Sequence, residues 1–522
     1  MTNLLNENNY GLFFKLIFLG LLDAIGIWAS VLLYFQGAYG FIVALLLGAA
    51  TINYVFLSDR TYPIRYMVPG LIFLFAFVVY PIGYTFYLST TNYGTGHILS
   101  KQQAIESLKG QYYQPEDPVS YSFEAYKNNQ GDIKLILQSN TGDKTYLTGG
   151  EKLTEVNLGN ERFVDSDEDG TIESFGDYEL MSRTEVIGVL QKLQKWKPEA
   201  NGVALQMSNL TTFDQRISRY EYLEERDRIR DRQTGELFRP EEGTFVSTTT
   251  DRSLEPGYKA TVGLENFSRI FTDPMITGPF LRVFTWTFIW AFMSVLTTFV
   301  LGLGIAIILN DSRLRLKPLY KGLLILPYAI PAFISALIWR GFFNTNVGII
   351  NTKLLQPLLG LSPAWFQDPL LAKVAVLIVN LWLGFPYMMV VCLGALQSIQ
   401  PELYEVAKVD GASPFQQFRK ITLPLLMVSV GPLLIGSFAF NFNNFNIIFL
   451  VTRGEPPIVG ATTAGSTDIL ISYTYKLAFG GQGATQYGLA AAISIIIFLI
   501  IGTISAINFH YTGALEEMSE NV

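Results

Sequence analysis

The sequence predicts an all-α polytopic membrane protein of about eight transmembrane helices carrying one inserted extracytoplasmic domain, α+β or β-rich. Three observations support that expectation. Of 522 residues, 50% are hydrophobic and only 16% charged, whereas soluble proteins carry about 25% charged residues. Apolar runs near 11–35, 39–57, 66–90, 279–309, 319–340, 373–396, 425–451 and 486–509 approach or exceed the ~20 residues that cross a bilayer as a helix. Between the third and fourth runs, residues 92–278 are polar and far too long for a loop without structure of its own. The chain thus divides into an N-terminal segment 1–91 with three helices, an inserted domain 92–278, and a helical core 279–522.

The first run is too long for the apolar region of a signal peptide and is followed at once by a second, so it reads as a retained span. "QGAYG" (36–40) makes a tight connector to the next helix. Within 92–278, "DIKLILQ" and "KTYLTGG", flanked by "NNQGD" and "SNTGD", read as strands joined by turns, and "YEYLEERDRIRDRQTG" as a charged, solvated segment. Basic residues orient the spans. With the N-terminus inside, the inner loops hold Arg60 and Arg65, then Arg313, Arg315, Lys317 and Lys321, then Lys408, Arg419 and Lys420. The outer loops 341–372 and 452–485 hold only Lys353, Arg453 and Lys476, so both termini are expected in the cytoplasm and 92–278 outside.

Several function classes recede on composition alone. A net charge of −7 leaves no basic footprint for nucleic acid. Cys392 is the lone cysteine, and His97 and His510 are the only histidines, so no cysteine- or histidine-rich metal site is expected. "DSDEDGTIE" places Asp165, Asp167, Asp169, Gly170 and Ile172 as in a calcium loop, but Gly176 stands where the bidentate Glu belongs, so an acidic turn is expected. No G-x-x-x-x-G-K-[ST] phosphate loop occurs, "GGEKLT" having the wrong spacing. The spans are almost free of ionisable groups. Asp23 is the clearest exception, with no obvious partner, and proton-coupled carriers usually show intramembrane ionisable chains.

Two polar patterns remain. In "SFAFNFNNF", Ser437, Phe440, Asn441 and Asn444 recur at helical spacing, as do Asn380, Leu383, Gly384 and Tyr387 in "NLWLGFPY". Amides in lipid must face protein or water. Asn suits sugar hydroxyls, aromatic rings suit pyranose faces, and Gly384 lets a ligand near the backbone. The same amides could instead hold helices together, a role that Asn443 and Asn446, on the opposite face, fit better. Pro327, Pro331 and Pro386 are expected to kink their helices. The second pattern, "PELYEVAKVDGASPFQQFRKITLPLL" (401–426), reads as two short helices separated at Gly411, the second opened by Ser413-Pro414 and ended or kinked at Pro424.

Glu405, Ala407, Gly411, Ile421, Leu423 and Pro424 fit the "EAA" pattern, E-x-A-x3-G-x9-I-x-L-P, of ABC-importer permeases, with Val406 in place of the more usual Ala. "LLILPYAIPAFISALI", "PAWFQDP", "VNLWLGFPYMM" and "SFAFNFNNFNIIFL" resemble the maltose/maltodextrin importer permeases of the MalF type. The resemblance implies an ABC type I importer permease fold in a bacterial inner membrane. It implies a non-enzymatic subunit that forms half of a sugar pathway, with ATP and Mg bound by a separate ATPase homodimer of the MalK type. A second permease of the MalG type and a periplasmic maltose-binding protein complete the expected partners. Glu405, Val406, Ala407, Gly411, Ile421, Leu423 and Pro424 would then couple to the ATPase. The two four-residue faces and Tyr328 would line the sugar site. A secondary sugar carrier and a membrane-anchored sensor are the alternatives.

Overall fold

The structure, a computed structural model, describes residues 7–520 except 36, 38, 141–143, 150–151, 158–162, 165–171, 201–202, 462 and 481–483. Seven described helices are long and apolar enough to cross a membrane: Phe13–Phe35, Tyr39–Leu57, Val68–Ser89, Pro274–Asn310, Pro369–Ser398, Pro414–Phe442 and Tyr487–Asn508. The pair Lys317–Ala329 and Ala332–Phe342, bent by 87°, supplies an eighth, and we number the spans one to eight in chain order. The break falls at Ile330 and Pro331, whereas Pro327 and Pro386 lie inside their helices. Two compact units emerge, residues 1–87 and 88–522.

In the first unit, spans one and two pair, and Asn53 Nδ2 donates to Asp23 Oδ1 at 2.8 Å. Asp23 therefore has the partner that linear reading did not find. Span three contains a wide π turn, Phe75–Val79, shortly before Pro81. Span seven repeats the device, with Phe418–Thr422 before Pro424. A proline inside a helix removes one ladder donor, and a wider turn relieves the clash without ending the helix.

In the second unit, the inserted segment forms two antiparallel sheets. The larger has eleven described strands and contains the expected pair Ile133–Ser139 and Thr145–Thr148. The smaller is a meander of five strands from Tyr220 to Leu254. Helix Lys101–Lys109 seals the small sheet, packing Ala104, Ile105 and Leu108 on Ile229, Phe238 and Phe245. The "YEYLEERDRIRDRQTG" segment is thus not a solvated run but a hairpin, Tyr220–Leu223 with Arg228–Asp231, turning at Asp227. Alternation explains the miss: Tyr220, Ile229 and Asp231 point inward while charged neighbours face out. Most of the acidic turn, 165–171, lies outside the described residues; Ile172 after it is buried and its carbonyl accepts from Tyr126. Among the described residues there is no cluster of three metal-ligating side chains.

A polar seam joins the inserted segment to the core. Buried Asn266 donates to the carbonyls of Ser89 (2.9 Å) and Thr91 (2.8 Å), and Gly488 N donates to Tyr93 O at 3.0 Å. A Cβ on Gly488 would collide with the Thr91 carbonyl. Gly488→Ala is accordingly expected to cost about 1–3 kcal/mol, read as a fall of several degrees in the thermal midpoint of the detergent-solubilised chain. An unchanged midpoint would mean that the seam yields freely.

Burial alone would raise the carboxyl of Asp231, but Arg219 (2.9 and 3.1 Å) and Gln233 N (2.9 Å) bond it and hold it below the usual range. Its contribution is therefore complete above about pH 4 and lost as pH falls below that. Limited proteolysis of the whole protein between pH 3 and 6 should show the small sheet opening at the acid end. Asp231→Asn should open at every pH in that range; an acid transition left intact in this variant would rule Asp231 out.

Candidate substrate cavity and interhelical knuckle

Spans five, six and seven enclose a cavity of about 670 Å³, within the range of small-molecule sites. It is lined by Tyr328 from span five, by Asn380, Leu383, Gly384 and Tyr387 from span six, and by Ser437, Phe440 and Asn441 from span seven. Asn444 joins them from just beyond span seven. All nine residues singled out in the sequence thus border one space. No charged side chain lines it among the described residues. Thr298, Ala332, Pro432, Gly436 and Asn446 also contribute. Of these, Pro432 and Gly436 extend the Phe440 face at i, i+4, i+8, a spacing visible in the sequence.

Geometry changes several local readings. The run 425–451 is not one helix. Span seven ends at Phe442, and a separate helix, Phe445–Val451, follows. Asn444 therefore reaches the cavity as the residue before this second helix, not as a fourth position on one face. The same break brings Asn446 into the lining and leaves Asn443 exposed, so neither is the interhelical glue expected of it. The amides that do tie helices are Asn380 and Asn441. Asn380 Nδ2 donates to Asn441 Oδ1 at 3.0 Å, and both residues are buried. Asn441 Nδ2 donates to Ser437 O at 2.8 Å, and Trp290 Nε1 donates to Asn441 O at 2.9 Å, satisfying a carbonyl of the last helical turn.

Gly384, besides bordering the cavity, has a packing reason of its own. A Cβ there would meet Thr298 Cγ2 at 2.8 Å, and one on Gly302 would meet the Met388–Met389 backbone at 2.8–2.9 Å. Both glycines let spans four and six close on each other, as small residues do between membrane helices. Phe440 and Tyr328 are by contrast largely exposed, offering unobstructed ring faces.

Between spans six and seven, Pro401–Val409 is a helix ended by Gly411 at φ +79°. Ala412 N donates to Ala407 O (2.8 Å) and Gly411 N to Lys408 O (3.0 Å), a Schellman closure that needs the left-handed residue. Ser413 caps the following helix with Gln416 in a reciprocal box. The turn is braced by Gln417 Nε2 to Ala412 O (2.9 Å) and by the Tyr404 and Thr422 hydroxyls (3.0 Å). Pro424 does not end the second helix: it continues from Pro414 to Phe442. Glu405, Val406 and Gly411 are exposed, whereas Ala407, Ile421 and Leu423 are half-buried. Val406, Val409 and Phe415 present apolar surface on the knuckle.

Residues 298–511 match the family described as "Binding-protein-dependent transport system inner membrane component". Residues 72–151 match "N-terminal of TM subunit in PBP-dependent ABC transporters". The chain is 38% identical to the maltose/maltodextrin transport system permease protein MalF of Vibrio cholerae, over 96% of this chain and 95% of that protein. It is 39% identical to MalF of Escherichia coli K12, over 95% of each. A chain from the crystal structure of a bacterial ABC transporter that imports alginate aligns with a TM-score of 0.42 at 23% identity, over 48% of this chain and 84% of that one. On identity across nearly its full length, the chain belongs to the MalF family of ABC-transporter permease subunits.

Proposed function

We propose that this chain is the larger transmembrane subunit of an ATP-driven importer of maltose and maltodextrins in a bacterial inner membrane. The observation that carries the proposal is that one uncharged cavity gathers Tyr328, Asn380, Tyr387, Phe440, Asn441 and Asn444. Neutral amides and hydroxyls match a neutral sugar, and the exposed rings of Tyr328 and Phe440 match its C–H faces. The helix that leaves the knuckle, Pro414–Phe442, carries Ser437, Phe440 and Asn441 of the cavity lining toward its other end.

The remaining assignments follow from this reading. Both termini and the knuckle lie in the cytoplasm, and 92–278 lies in the periplasm, where a maltose-binding protein delivers the sugar. A second permease of the MalG type completes the pathway. Val406, Val409 and Phe415 dock a MalK-type ATPase pair, which binds ATP and Mg; this chain has no phosphate loop of its own. Closure of the ATPases turns the cavity outward, and reopening after hydrolysis releases sugar inward. A secondary carrier or a sensor gives no role to the knuckle.

Two measurements test the proposal. Gly411→Pro cannot adopt φ near +79°; it should insert normally yet abolish uptake and sugar-stimulated ATP hydrolysis in the purified complex. Retained coupling would remove the docking role. Phe440→Ala with Asn444→Ala removes cavity contacts while sparing the Asn380–Asn441 bond, and should reduce uptake at least about tenfold with assembly intact, from two lost contacts of about 1 kcal/mol each. Failed assembly in that variant would favour a purely structural role. Asn380→Ala, which leaves a buried amide unpaired, should in addition cost about 1–2 kcal/mol of stability.

A further inference from the structure

A second cavity, about 610 Å³, opens beside the start of spans four and six. Its rim holds Arg282, Lys373 and Ser466, with Trp286 as its wall. Among the described residues no carboxylate lies within ion-pair distance of Arg282 or Lys373. Lys373 Nζ stands 4.6 Å from the Trp286 ring centroid, and Trp286 Nε1 is fixed by the carbonyl of Thr467 at 3.2 Å. Span four has 37 residues, about 55 Å at 1.5 Å per residue, against a hydrocarbon core of about 30 Å. Charged Asp311 and Arg313 follow its other end, so the excess length is assigned to its first turns, and with it Arg282, eight residues from the start, to the headgroup side. Below Arg282 the same helix exposes Ile289, Phe292 and Leu296. Leu296 is about 21 Å further along, close to the reach of an acyl chain.

Two cations without counter-ions, a tryptophan at the interface and an apolar strip running toward the bilayer centre are complementary to one ligand. We propose that Arg282 and Lys373 hold the phosphate of an anionic phospholipid in the leaflet on the side of the inserted domain, with its acyl chains along Ile289, Phe292 and Leu296. Trp286 and Ser466 border the glycerol region. The placement follows from span four beginning directly after the inserted segment and does not depend on which side of the cell that segment faces.

The test is lipid retention by the protein purified from its membrane with its accompanying subunits, read by native mass spectrometry after exchange into nanodiscs of phosphatidylglycerol with phosphatidylethanolamine. The wild type should retain phosphatidylglycerol. Arg282→Gln with Lys373→Gln should retain roughly 25-fold less, each cation near a lipid surface contributing about fivefold. The charge-preserving Arg282→Lys with Lys373→Arg should keep it, which separates lost charge from lost folding. Equal retention by wild type and the double Gln variant overturns the proposal. So does displacement of the lipid by millimolar inorganic phosphate, which would make this a free-anion site, or a protein chain found seated on the groove.

Discussion

A polar atom carried into hydrocarbon must find its partner within the protein, because no water is there to supply one and each omission costs several kcal/mol. Asn441 is where this chain meets that demand most fully. Its side chain accepts from Asn380 and donates to Ser437 O, and its backbone carbonyl accepts from Trp290. Spans four, six and seven are joined at this residue, and the cavity opens beside it. The amide that helps hold the helices together is also part of the cavity lining.

The same demand shapes the loop after span seven. Asp468 is fully buried; burial pushes its carboxyl up, while Lys476 (2.6 Å), Gly465 N (2.7 Å) and Ser472 Oγ (2.9 Å) oppose that by bonding it. Gly454 and Gly465 leave the room this cluster needs. Close packing elsewhere depends on absent side chains too: Gly302 and Gly384 bring spans four and six to near contact, which shapes one wall of the cavity.

Much of this was legible in the sequence because lipid imposes a simple rule on composition. Apolar run lengths give the spans, and rare amides at helical spacing give the cavity. Reading failed where a local event interrupts a periodic pattern. The end of span seven at Phe442 is invisible in an unbroken apolar run, so Asn444 and Asn446 were assigned to faces of a helix that is not there. Pro424 signals a stop or a kink; the helix runs on through it, behind the π turn Phe418–Thr422. The charges of 220–235 hide a strand pattern whose inward residues include an aspartate neutralised by Arg219. The missing side chain of Gly384 is plain in the sequence, but what fills the space is Thr298, far earlier in the chain and beyond any local pattern.

The helix Pro414–Phe442 is about 43 Å long, with the wide turn Phe418–Thr422 near its start and Pro432 inside it. Pivoted at the knuckle, a tilt of about 5° carries its far end nearly 4 Å sideways, by geometry alone. Asn441 rides on that helix, but Asn444 stands past the joint on the neighbouring segment. Asn444 N donates to Asn441 O at 3.0 Å, so the two residues stay linked across the end of span seven. A displacement that enters this helix at the knuckle leaves it beside the cavity lining, about 40 Å from where it began.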